Sequence, residues 1–131
     1  MNPTLKAHFL RLYAMVLSDF EVHPNELAVL YRIARDHYGL SEEEINKDVL
    51  SDGSMLYTPE SPQEKIQYLY ELALVVVADC NVAPAELRLM KENARLLGFS
   101  EDMIDKIISF LIEKAKENIP VTEILKQATY A

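Results

Sequence analysis

The chain has 131 residues, which suits one domain with a single core, and half of it is hydrophobic and about a quarter charged, as in a folded globular protein. A formal net charge of -8 argues against nucleic acid or an anionic membrane surface as the main partner, and leaves cations, basic proteins and neutral surfaces open. With Cys80 as the single cysteine there can be no intrachain disulfide, and a reducing, cytoplasmic setting is expected.

The N-terminal stretch MNPTLKAHF lacks a continuous apolar core, so no signal peptide is expected. Asn2-Pro3 offers a cap followed by proline at the first helical position. Leu5, Phe9, Leu12, Met15 and Val16 then recur at helical spacing, predicting helix α1 over about residues 3–18. Pro24 opens α2, with Leu27, Leu30, Tyr31 and Ala34 on its core side and Gly39 closing it. Ser41-Glu42-Glu43-Glu44 reads as a capping box that starts a short α3.

Residues 51–60, SDGSMLYTPE, carry most of the loop chemistry and mark a linker. Ser61-Pro62-Gln63-Glu64 is a second capping box, opening α4 to about Ala78. Its apolar run, within YLYELALVVVADC, is interrupted by Glu71 and too short to cross a bilayer, so a buried helix and no membrane insertion are expected. Pro84 opens α5 and Gly98 ends it; Ser100 begins α6, and α7 starts near Pro120. No segment alternates with period two. The expected fold is all-α, about seven helices in one domain over residues 1–131.

Residues 12–35 set against 72–95 share nine of 24 positions: Leu12, Val16, Asp19, Val22, Pro24, Glu26, Leu27, Ala34 and Arg35, each with its partner sixty later. Chance would give roughly two. The likeness continues with a one-residue slip, YGLSEE against LGFSED. Two copies of one helical unit are therefore expected, at about 3–50 and 61–117, packed face to face, with a last helix over about 120–130.

The repeated acids sit at the helix corners. Glu26 and Glu86 fall at the third helical position, where a carboxylate accepts the cap N–H and complements the helix dipole. Asp19 and Asp79 end the preceding helix, where the dipole disfavours a negative charge by roughly 0.3–1 kcal/mol. Two explanations offset that. An Asx-type turn would fix the corner. Alternatively, Asp19, Glu21 and Glu26 in one copy, and Asp79, Asn81 and Glu86 in the other, supply oxygens to a hard cation such as Ca²⁺ or Mg²⁺.

At LSDFEVHPNE and VADCNVAPAE the chain resembles the TerB-like family, whose mark is a helix running into small-x-x-Asp-Gly-x-aliphatic-x-x-x-Glu. The likeness covers nearly the whole chain, with Phe20 and Cys80 standing where the family has glycine. It implies an all-helical domain with a divalent-metal-binding acidic cluster, used in stress, tellurite or envelope responses. By position, Asp19, Glu26, Asp79 and Glu86 take the acidic role.

Cys80 has His8, His23 and His37 as notional partners for a catalytic dyad, all in the other half of the chain; a small residue at a tight corner explains it better. His23 could join a metal shell beside Glu21, although Ala83 replaces it in the second copy. His37 reads as a charge–dipole contact near the end of α2. Met103, Ile104, Ile107, Ile108, Phe110, Leu111 and Ile112 make α6 apolar around much of its girth, so it is either central to the core or part of a homodimer surface with α7. Tyr57, Tyr68 and Tyr70 read as half-buried packing or as part of a partner surface.

Phosphate-cradling glycine loops, His-Glu-x-x-His and nucleophile elbows are missing, so no enzyme is expected. The expectation is a non-enzymatic binding module for another protein, tuned by a divalent cation at the corners. The alternative is a structural, self-associating domain whose acidic corners only fix the fold, and more distantly a metal-dependent hydrolase.

Overall fold

Four helices begin on a proline, whose missing N–H is unneeded in a first turn. The computed structural model describes residues 2–18, 23–49, 57–78 and 82–129, the side chains of 49, 128 and 129 excepted. It is all-α, with α1 Pro3–Val16, α2 Pro24–Tyr38, α3 Glu42–Val49, α4 Pro62–Val76, α5 Pro84–Leu96, α6 Glu101–Lys116 and α7 Val121–Thr129.

The local signals act as read. Asn2 Oδ1 accepts the Leu5 N–H at 2.8 Å, capping α1. Ser41 and Glu44 form both halves of a capping box, with Glu44 N–H to Ser41 Oγ at 3.1 Å and Ser41 N–H to Glu44 Oε1 at 3.4 Å. Ser61 Oγ accepts from the Glu64 N–H at 3.4 Å. α1 and α4 stop two residues short of their predicted ends because the closing turn tightens. Ser18 N–H bonds Met15 O, and Ala78 N–H bonds Val75 O, each three residues back rather than four.

Gly39 closes α2 in the left-handed region at φ 64, and its N–H bonds Arg35 O while the Leu40 N–H reaches Ala34 O. A Cβ added there meets nothing within 4 Å, so the cost of a side chain is in the backbone alone. Gly39→Ala is therefore expected to lower stability by about 1 kcal/mol in urea unfolding. An unchanged midpoint would show that the turn relaxes instead.

α4 is the central helix. Every residue from Tyr68 to Val76 is buried, and the helix packs against α1, α2, α5, α6 and α7. An apolar surface on all sides is what such a position requires. α6 is not central: Ile104, Ile108, Leu111 and Ala115 face the core, while Met103 is 47% and Phe110 40% exposed. Tyr68 and Tyr70 are buried rather than half-buried, and Tyr57 is exposed. The Tyr70 hydroxyl donates to Ile119 O at 2.5 Å, tying the α6–α7 turn to α4, and Ile124 of α7 is fully buried. On the other side, Tyr13 of α1 and Tyr31 of α2 both donate to Asn46 Oδ1 of α3, at 2.7 and 2.8 Å.

Candidate functional site

Of the six expected cation ligands, Asp19, Glu21, Asp79 and Asn81 lie outside the described residues, as does Cys80. Glu26 and Glu86 are both buried in the first turns of α2 and α5. Glu86 Oε1 accepts the Ala83 N–H at 3.1 Å. That is the reciprocal half of a capping box, since alanine has no side-chain acceptor to complete the other half. Glu86 Oε2 is buried without a hydrogen-bond partner among the described residues, an oxygen that a cation could use. Two glutamates alone are no metal site, and among the described residues no group of three or more His, Cys, Asp or Glu side chains is placed to hold an ion.

A second polar centre lies inside the core, around Glu71. This carboxylate is fully buried in the middle of α4. Burying an ion costs several kcal/mol unless its lone pairs are satisfied. Here four donors converge. Oε1 accepts from His8 Nε2 and from the Tyr38 hydroxyl, both at 2.6 Å. Oε2 accepts from His37 Nδ1 at 2.5 Å and from Gln67 Nε2 at 3.2 Å. α1 supplies His8 and α2 supplies His37 and Tyr38, so the carboxylate pins three helices together.

An ionised carboxylate only accepts, which assigns the imidazole protons: His8 carries one on Nε2 and His37 one on Nδ1. Burial pushes the Glu71 carboxyl up, but the bonds from His37 and His8 outweigh it and hold the group at about 2. Burial pulls His8 below its ordinary value, outweighing the bond from Glu71. A neutral His8 agrees with its Nδ1, a buried lone pair with no partner, and with the Tyr68 ring stacked on it at 3.8 Å and 8°. Burial, then the neighbouring Glu71, push the Tyr38 hydroxyl far above its usual range. Tyr68 is pushed up to about 12, mainly by burial.

His37 is where this network reaches the surface. Its side chain is 19% exposed and borders a cavity of about 300 Å³, walled by α2, α4 and the turn between α6 and α7. Arg32 and Asp36 of α2 lie on the same wall, opposite Asn118 and Val121. A carboxylate that fixes one ring nitrogen of an imidazole bordering a cavity is the arrangement used to orient it for binding or proton transfer.

Sequence reasoning missed this centre. Glu71 registers there only as an interruption in an apolar run, and His37 as a dipole contact, whereas its ring turns inward to Glu71. The usable signal was the charge itself, since a lone glutamate in a nine-residue buried stretch needs donors from elsewhere in the chain. No family model matches this chain, and comparison with curated proteins and with solved structures found no match either.

Proposed function

We propose that the chain is a non-enzymatic helical interaction module of the TerB-like kind, binding through the outer face of α6, with a second copy of itself as the partner. The observation that carries this reading is the exposure of Met103 and Phe110 on a helix whose opposite face is already buried. Met103, Ile107, Phe110 and Lys114 follow a four-three-four spacing, the seam of a paired helix. Lys114 lies 5.6 Å over the Phe110 ring, extending the apolar strip with its stem.

Charge selects an antiparallel partner. Glu101 and Asp102 open α6, and Lys114 and Lys116 close it, which also complements the dipole of the helix itself. Two such helices set antiparallel, with Ile107 against Phe110, place the acidic start of each beside the basic end of the other. The same register puts Lys106 beside Glu113 of the second copy.

Tuning by a divalent cation belongs to the same proposal. Asp19, Glu21, Glu26, Asp79, Asn81 and Glu86 would hold Ca²⁺ or Mg²⁺, and the buried Glu86 Oε2 supports it. The repeat is consistent with the matched burial of Leu12 and Leu72, Val16 and Val76, and Glu26 and Glu86. The corners' purely structural role is favoured by the bond from Ala83 N–H to Glu86. Sedimentation of the wild type and of Phe110→Glu, each in millimolar Ca²⁺ or in EDTA, tests both parts. The expected result is a dimer that tightens in Ca²⁺, and a helical monomer for the variant in either buffer. A wild type that stays monomeric at about 100 μM, a concentration that populates even weak dimers, overturns the α6 reading. Identical association with Ca²⁺ and EDTA overturns the cation part and leaves the structural role.

A further inference from the structure

We propose that the cavity bordered by His37 binds a small oxyanion, a carboxylate or phosphate group, with Arg32 and His37 as its ligating side chains. Of the basic side chains without an ion pair among the described residues, Arg32 is the one that borders this cavity. Arg35, Lys91 and Arg95, by contrast, are all paired. The carboxylate nearest in sequence is Asp36, which borders the same cavity, but its Oδ1 is held by Arg35 Nε at 3.0 Å. The Arg32 guanidinium is thus left as the uncompensated charge of the wall.

His37 adds direction. The Nδ1–H is committed to Glu71 at 2.5 Å, and Glu71 is itself immobilised by His8, Tyr38 and Gln67. The ring cannot turn without stripping a donor from a buried carboxylate. Its Nε2, on the far side of the ring, has no partner among the described residues and is the group left for a ligand. In the imidazolium form that nitrogen is a donor, with Glu71 balancing the cation from behind and the anion from in front. The titratable or charged groups around His37 are Arg32, Asp36 and Tyr38 of α2, Glu71 of α4 and His8 of α1; Asn118, Ile119, Pro120 and Val121, from the α6–α7 turn, do not titrate.

The remaining wall suits an anion as well. It is formed by Ile33, Leu74, the α6–α7 turn and Val121, the first residue of α7, where the helix carries the positive end of its dipole. A cation is disfavoured by Arg32. A volume of about 300 Å³ is at the small end of ligand sites and fits a phosphate or a short carboxylate rather than a nucleotide. This site does not depend on the α6 surface.

The test is anion titration followed by two readouts, the melting temperature and the His37 ring signals in NMR, at constant ionic strength with chloride as the reference. Inorganic phosphate or succinate at about 10 mM should raise the melting temperature by mass action and shift the His37 resonances. The larger of the two responses says which oxyanion the site prefers. Arg32→Gln, at an exposed position without an ion pair, leaves the fold intact and should weaken binding at least tenfold. Lys47→Gln, on α3 away from the cavity, should bind as the wild type does. Unmoved His37 signals with both anions overturn the proposal. So does a response undiminished in Arg32→Gln, which would mark a general salt effect.

Discussion

Glu71→Ala is expected to destabilise the fold by about 3–5 kcal/mol, because it removes the acceptor from four donors, of which His8 is fully buried and His37, Tyr38 and Gln67 partly so. His8 is fully buried, and its Nε2–H has no water to turn to. Tyr38 and Gln67 keep each other, with Gln67 Nε2 3.3 Å from the Tyr38 hydroxyl, but the hydroxyl proton itself is left without an acceptor. The loss should appear as a lower urea midpoint at an unchanged slope, since the same surface is exposed on unfolding. Pairing the change with His8→Phe separates the network from simple cavity formation. If the donors are what suffers, the double variant costs less than the sum of the singles by about 0.5–3 kcal/mol. A single-variant loss under about 1 kcal/mol would mean that the carboxylate is not satisfied in the core as described.

Acid should unfold the protein in two stages, both with the same sign. His8 is held below its ordinary value in the folded state, so the unfolded chain takes up a proton first as pH falls below about 6.5, and stability starts to fall there. Glu71 is held at about 2 against an ordinary 4.5, so its contribution is complete above about pH 4.5 and disappears as pH drops toward 2. A difference of that size corresponds to about 3 kcal/mol. Unfolding free energy measured between pH 7 and 3 should therefore decline throughout, and more steeply below pH 4.5. The decline below pH 4.5 should be reduced in Glu71→Gln, which has no carboxyl to protonate. A flat profile in the wild type would show that the carboxylate is not held ionised by its donors.

Sequence alone determined where most helices begin and end, since those signals act within one turn. Proline at the first position, Asn2 and Ser41 as caps, and Gly39 at φ 64 each satisfy or release backbone groups only a few residues away. The burial of α4 was legible for a similar reason, since nine consecutive core residues need apolar neighbours whatever those neighbours are. The cap bond of Glu86 to Ala83 was equally local. Packing decided the rest. Glu71 meets His8 and His37 across 63 and 34 residues of chain, and no local spacing encodes which distant imidazoles arrive at a buried charge. The cavity beside His37 is closed by the α6–α7 turn, which the Tyr70 hydroxyl and the packing of α7 hold against α4, bringing Asn118 and Val121 opposite Arg32. In α6 the apolar residues ran nearly all round, so composition could not tell the buried face from the exposed one. Docking on α4 and α5 made that choice, covering Ile104, Ile108 and Leu111 and leaving Met103 and Phe110 in solvent.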